Sequence, residues 1–138
     1  SGAQHQALVE GSIAGEFPSW NPRFTGRENR YTWLSTIIEN GTPYSFNAVQ
    51  KVDHQTGELK VFDFGAGRFS SEVNFIPHGK DATEDEGYLI SIVYNHARKK
   101  SEVVIVDAGD MRTEIAVIPL EHHVPFGFHG GFYSETFV

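Results

Sequence analysis

Near its end the sequence carries a stretch rich in histidine, phenylalanine and glycine, HHVPFGFHGGF, at residues 122–132. Neutral imidazole is a common metal ligand, and a low-dielectric pocket of phenylalanines favours the neutral form. The glycines around His129, at Gly127 and at Gly130–Gly131, would let the backbone pass close to a bound group. The stretch therefore admits three interpretations, namely a complete metal site, one part of a larger site, or a glycine-rich turn.

A self-contained zinc site is the least favoured interpretation of this stretch. Adjacent strand residues face opposite sides, so His122 and His123 do not both reach a metal held by His129. His123 shares the parity of His129, but Pro125 and Gly127 interrupt the strand between them. Zinc needs three or four protein ligands in most sites, and this segment supplies one or two. We therefore expect His129 to act with residues from elsewhere in the chain.

The elements that would position His129 are strands, because apolar and polar residues alternate along most of the chain. Turn signals such as NGTP and DHQTG separate the alternating runs, and no stretch has a convincing helical period. The sequence predicts an all-β protein of antiparallel meanders. The predicted strands lie at 30–39, 44–52, 58–64, 72–77, 87–95, 101–107 and 113–119.

The two sets of strands follow one repeated plan. Aligning Glu16 with Glu72 brings the later strands of both sets into register, and His129 begins a third repeat after the same period of about 56 residues. Four-stranded meanders at such a period are typical of β-propeller blades. We predict blades at 16–65 and 71–120, and the start of a third blade at 124–138.

The repeat predicts a meeting point for three functional groups. The first strand of each propeller blade lines the central axis, so Glu16, Glu72 and His129 would converge there. Two carboxylates and an imidazole are costly to bury unless they bind one another or a ligand. A carboxylate that accepts the second ring N–H is also the usual orienting partner of a metal-bound histidine. Chance is the alternative, because glutamate is common and the alignment has some slack.

Composition and charge exclude several classes of protein. The 138 residues carry a net charge of −7 and eleven scattered basic residues, which argues against a nucleic-acid partner. The absence of cysteine excludes disulfides and thiolate metal sites. No apolar run approaches the roughly 20 residues that span a bilayer, and we expect a cytoplasmic location. Two blades do not close a propeller, so we expect either a piece of a larger protein or a chain that self-associates.

Four motifs together resemble the C-terminal part of the carotenoid cleavage oxygenase family: GEFPSWNPRFTGRENRYTW, SSEVNFIPHGKDATEDEGYLISIVYN, KSEVVIVDAGDM and VPFGFHGGF. The resemblance implies a fragment of a seven-bladed propeller with Fe(II) on its axis, held by four histidines. It identifies His129 as the last iron ligand and Glu16 and Glu72 as two of the glutamates that orient the ligands. Phe128 and Phe132 are candidates for the walls of a substrate tunnel, with ordinary core packing as the alternative. The other three ligands would belong to blades outside this sequence.

The resemblance also implies a reaction. O₂ would add across one double bond of a carotenoid, apocarotenoid or stilbene in an apolar tunnel and leave two carbonyl products. We expect the isolated chain to be inactive, to retain no iron and to self-associate, and we leave peripheral membrane contact of the full-length protein open. The alternative hypothesis is a stand-alone β module that oligomerises and carries a vestigial site.

Overall fold

Two antiparallel β-sheets form the structure, a computed structural model that describes residues 10–38, 45–127 and 129–132. A single turn of 3-10 helix, Pro22–Phe24, is the one helical element within those ranges. The all-β prediction is therefore confirmed. The first sheet is a four-stranded meander in which neighbours in sequence pair in order: β1 (Gly15–Ser19), β2 (Tyr31–Thr36), β3 (Ala48–Asp53) and β4 (Leu59–Asp63).

The second sheet has five strands rather than the predicted four: β5 (Arg68–Ser70), β6 (Asn74–Pro77), β7 (Gly87–Asn95), β8 (Lys100–Asp107) and β9 (Glu114–Pro119). β5 and β6 lie end to end along the same edge of β7. β6 lies within the strand predicted at 72–77, whereas β5 precedes that range and was not predicted. The sheet edge is interrupted between them, at residues 71–73. The Ser91 hydroxyl donates to the Glu72 carbonyl over 3.0 Å at this interruption, where a side chain replaces the regular ladder.

The sequence predicted the positions of the long strands within a few residues. Two of the predicted ends, at residues 39 and 44, lie outside the described residues. No strand is assigned to 124–127 or 129–132, and 133–138 also lie outside the described part. The start of a third blade at 124–138 therefore stays a prediction.

The core lies between the two sheets and centres on Trp33, which is fully buried. Its indole stacks on Phe75 of the second sheet, with 4.5 Å between ring centroids and 18° between planes. The indole N–H donates to the Ala108 carbonyl over 3.2 Å, so its polar atom is satisfied. Aliphatic residues complete the core: Val49, Val73, Leu89, Val93, Val104 and Val106.

The acidic loop between β6 and β7 fastens the second sheet to the first. Lys51, whose side chain is 4% exposed, donates to Asp85 over 2.6 Å and to the Gly109 carbonyl over 3.1 Å. The Glu84 carboxylate accepts the Tyr31 amide over 3.0 Å. A buried lysine charge needs such a carboxylate, because an unpaired charge in the interior is strongly destabilising. This loop is thus part of the inter-sheet contact.

Asp53, at the end of β3, forms a second charged contact within the first sheet. Its side chain is 6% exposed, and its carboxylate lies 2.7 Å from the Arg30 guanidinium. The amides of Gln55 and Thr56 also donate to it, over 2.9 and 3.2 Å. The hydrogen bond from Arg30 outweighs burial and, with these amides, holds the pKa of the Asp53 carboxyl well below its usual value. The folded chain therefore favours the charged form of Asp53.

We expect this preference to make part of the stability dependent on pH. A carboxyl whose pKa falls on folding stabilises the protein above its unfolded pKa of about 3.9, and that contribution is lost as the pH falls towards the folded pKa. Asp53→Asn keeps the oxygen that accepts the turn amides and removes the ion pair. Urea unfolding should show a deficit of about 1 kcal/mol at pH 7 that shrinks below about pH 4.

Asp63→Asn is the matched control, because the exposed Asp63 caps the Gly65 amide over 2.7 Å and has no ion pair in the described part. Its stability should follow the pH profile of the unchanged chain. A deficit in Asp53→Asn that stays constant from pH 7 to pH 3 would show that the charge of Asp53 has no part in it.

One face of the second sheet presents apolar side chains to solvent. Ile92 and Ile118 both pair with Val103 in the strand register, so the three residues share a face, and the two isoleucines are 38% and 50% exposed. This is the surface that the predicted self-association would bury, and self-association stays a prediction. Within the described ranges, no helix has the length and apolar character needed to cross a membrane.

Candidate functional site

The segment that carries His129 is anchored to β8. Ser101, which is 1% exposed, donates its amide to the His122 carbonyl over 3.2 Å. Its hydroxyl accepts the Val124 amide over 2.9 Å. These bonds fix the start of the segment, which then runs towards the interruption between β5 and β6.

His129 and Glu72 meet at that interruption. Glu72 Oε2 lies 3.3 Å from His129 Nδ1, and Glu72 Oε1 accepts the Gly130 amide. A Cβ atom at Gly130 would lie 3.3 Å from Glu72 Oε1, so glycine allows this close approach. A proton on Nδ1 donates to the carboxylate and leaves the lone pair of Nε2 for another partner. The pair thus has the arrangement of a metal-ligating histidine held by a carboxylate.

The two side chains of the pair differ in burial. The Glu72 side chain is 14% exposed, whereas that of His129 is 76% exposed. The carboxylate is therefore largely buried, and the imidazole is exposed. Gly127 differs from Gly130, because a Cβ atom there would meet nothing within 4 Å. The close approach seen at Gly130 is to Glu72, and the approach of Gly127 and Gly130–Gly131 to a bound group stays a prediction.

Glu16 does not join the pair directly. Glu16 lies in β1 and pairs through its backbone with Ser35 of β2. Its side chain is exposed and has no hydrogen bond within the described residues. The next residue, Phe17, contacts His129 instead, with perpendicular rings whose centroids are 5.4 Å apart. The predicted convergence of three groups is therefore a contact between two of them, and the orienting role of Glu16 stays a prediction.

An apolar cleft of about 320 Å³ adjoins His129. Phe132, which is 55% exposed, lines this cleft, while Phe128 lies outside the described residues, and the role of both in a substrate tunnel stays a prediction. Phe126 is 53% exposed and does not line the cleft. The apolar lining comes instead from the second sheet and from the anchored segment: Ile76, Ile90, Ile92 and Val124.

The described residues supply one position of a metal site rather than a whole site. Across 10–38, 45–127 and 129–132, no three histidine, aspartate or glutamate side chains lie close enough to hold one ion. His123 packs on the Tyr94 ring at 4.8 Å between centroids, away from the Glu72 pair. A single imidazole with an orienting carboxylate fits one corner of a histidine-ligated metal, and the remaining ligands would have to come from other parts of the protein.

Comparisons with a family model and with known proteins indicate the same family. The family described as retinal pigment epithelial membrane protein, RPE65, matches residues 1–134. The 9-cis-epoxycarotenoid dioxygenase NCED6, chloroplastic, of Arabidopsis thaliana is 36% identical over 116 residues, which are 84% of this chain and 19% of that protein.

Solved structures of related proteins share the fold. The lignostilbene dioxygenase of Pseudomonas brassicacearum matches with a TM-score of 0.80 at 26% identity, over 86% of this chain and 27% of that one. Cobalt-substituted Synechocystis apocarotenoid oxygenase matches with a TM-score of 0.78 at 32% identity, over 86% of this chain and 25% of that one. The chain thus spans between about a fifth and just over a quarter of the length of these three proteins.

Proposed function

The chain belongs to the RPE65 and carotenoid cleavage oxygenase family, and from this premise we propose that it is the C-terminal part of a non-haem Fe(II) dioxygenase. The substrate class is a carotenoid, an apocarotenoid or a stilbene, of which one carbon–carbon double bond is cleaved. The observation that carries the proposal is the contact between Glu72 and His129 beside an apolar cleft. One similar protein, Synechocystis apocarotenoid oxygenase, has a solved structure in a cobalt-substituted form.

His129 is the iron ligand that this chain contributes, through Nε2. Glu72 holds the ring because one carboxylate oxygen faces Nδ1 and the other accepts the Gly130 amide. A carboxylate in this position fixes the tautomer and the orientation of the ring. Three further histidines complete the coordination sphere from parts of the protein outside this sequence.

Glu16 has the equivalent role towards one of those histidines. Its carboxylate is exposed in this chain and lies one residue from Phe17, which contacts the His129 ring. An exposed carboxylate at this point in the sequence supports the proposal that Glu16 accepts a ring N–H from a blade outside this sequence. This explains why it has no partner among the described residues.

The cleft beside His129 is the part of the substrate tunnel that this chain forms. Its isoleucines and Phe132 exclude water and hold an extended apolar chain against the metal side of the imidazole. When bound, Fe(II) supplies the activation of O₂ that the protein side chains lack. The chain's own contribution is to orient one ligand and to keep the alkene in a dry, shaped cavity.

We expect the isolated chain to retain less than about 0.1 iron per chain after anaerobic loading, brief chelation and desalting, because one imidazole does not compete with water and buffer. The full-length protein, treated in the same way, should keep about one iron. Elemental analysis by mass spectrometry measures both, and His129→Ala in the isolated chain is the matched control. Retention of about one iron per isolated chain, lost in His129→Ala, would show a complete site and overturn the proposed division of ligands.

A stand-alone module that self-associates is the second candidate, favoured by the exposed apolar face of Ile92, Val103 and Ile118. The reading frame of the natural gene separates the two. Further histidines on blade-start positions upstream of this sequence support the enzyme, whereas a gene that encodes these two sheets alone supports the module.

A further inference from the structure

Phe17 occupies a backbone conformation that its side chain disfavours. Its φ is 53°, in the left-handed region where a bulky residue is strained. It also precedes Pro18, which biases the preceding residue towards extended backbone. Only two other described non-glycine residues have positive φ, Lys99 and Met111, and both lie in the turns between strands of the second sheet. Phe17 is thus the one such residue, among those described, that lies inside a strand.

A β-bulge produces this conformation. Glu16 pairs with Ser35 and Ser19 with Trp33, so Phe17 and Pro18 together face the single residue Leu34. Bulges bend a strand and redirect a side chain, and they are common beside active sites. Here the redirected side chain is the Phe17 ring, which would point differently in a regular strand.

The redirected ring lies between Phe46 and His129. It meets Phe46 at 5.5 Å between centroids and 76° between planes, and His129 at 5.4 Å and 86°. Both contacts have the edge-to-face arrangement that aromatic pairs favour. Glu72 restrains His129 at Nδ1, but one hydrogen bond leaves the ring able to tilt about that contact. Phe17 restrains the tilt from the other sheet.

We propose that Phe17 is a positioning residue for the metal-ligating imidazole, and that the strained bulge exists to place its ring against His129. The inference rests on the proposed function of His129 and adds a contact made by the first sheet to a ligand held by the second. Backbone strain that persists in a folded protein is characteristic of sites where it helps to pre-organise function.

The experiment measures Co²⁺ affinity by competition titration and the thermal unfolding midpoint of the full-length protein, without relying on turnover. Phe17→Ala should weaken Co²⁺ binding about three- to tenfold, the range of an aromatic contact, while Phe17→Tyr should stay within twofold of the unchanged protein. Phe17→Gly should bind Co²⁺ as weakly as Phe17→Ala. It should unfold at a higher temperature than Phe17→Ala, because glycine tolerates positive φ.

Lys99→Gly is the matched control, since Lys99 has the same φ of 53° on an exposed turn. It should raise the unfolding midpoint and leave Co²⁺ affinity unchanged. Phe17→Ala and Phe17→Gly with unchanged Co²⁺ affinity would overturn the inference, and so would affinities that merely follow the unfolding midpoints. If His129→Ala also kept Co²⁺, the proposed function itself would fail, whereas loss of Co²⁺ in His129→Ala alone would refute only the role of Phe17.

Discussion

Replacing His129 with alanine in the full-length protein is expected to abolish turnover and to leave the protein without stoichiometric iron. Removing a ligand opens the coordination sphere to water and changes its geometry, so the remaining imidazoles hold the ion less tightly. The substitution also leaves Glu72, 14% exposed, without the imidazole partner it faces. Iron content by elemental analysis and product formation from an apocarotenoid or stilbene substrate measure the two effects separately.

Glu72→Gln should be milder, with a loss of roughly 10- to 100-fold in iron affinity or activity, as for other orienting partners. The structure places Glu72→Gln at the severe end of this range. Both carboxylate oxygens accept, one facing Nδ1 of His129 and the other the Gly130 amide. Glutamine has one carbonyl oxygen, so its NH₂ group must face one of these two donors.

Glu16→Gln should fall within the same range but nearer its mild end, because Glu16 has no such double contact among the described residues. His122→Ala is the control. His122 contributes its carbonyl to the Ser101 amide, a contact that alanine keeps, and its side chain is exposed. Iron occupancy should therefore rank His129→Ala lowest, then the two glutamate variants, with His122→Ala near the unchanged protein. Loss of metal in His122→Ala with retention in His129→Ala would reject the assignment of the ligand.

The strands and the proximity of Glu72 to His129 could be predicted from the sequence, because both depend on periodicity. Strand alternation repeats every two residues, and the blade plan repeats along the chain, so residues on equivalent positions can be paired without knowing any packing. The repeat placed Glu72 and His129 one period apart, and the structure brings them into contact at 3.3 Å. The break between β5 and β6 at Glu72 had no such signal, because it involves a bond from the Ser91 hydroxyl to the Glu72 carbonyl that no periodicity indicates.

Contacts between the two sheets could not be predicted from the sequence, because they have no periodic relation along the chain. The bulge that turns Phe17 towards His129 adds one residue to a strand of otherwise ordinary composition, and Glu-Phe-Pro reads as a continuing strand. Glu16 was therefore expected where Phe17 lies. The salt bridge from Lys51 to Asp85 likewise joins a strand to a loop 34 positions later, with no periodic relation between them. Both depend on how two sheets pack, which local pattern does not encode.

Replacing Trp33 with alanine should cause the largest loss of stability, about 3–5 kcal/mol in the free energy of unfolding. Trp33 is fully buried, stacks on Phe75 and donates to the Ala108 carbonyl, so alanine leaves a large cavity between the sheets and an unpaired acceptor. Urea unfolding followed by circular dichroism measures the loss. Because a small domain has only about 5–15 kcal/mol in total, Trp33→Phe serves as a second variant that keeps a ring and should lose about 1–3 kcal/mol.

Trp20→Ala is the matched control for this substitution. Trp20 is 39% exposed, and its indole bonds to the nearby Thr25 hydroxyl over 3.1 Å. Its removal should lower the free energy of unfolding by less than about 1 kcal/mol, because it leaves no buried cavity. Equal losses in Trp20→Ala and Trp33→Ala would show that the contact between Trp33 and Phe75 does not join the sheets. Since Phe17 belongs to the first sheet and Glu72 to the second, that result would also remove the frame proposed to hold His129 between them.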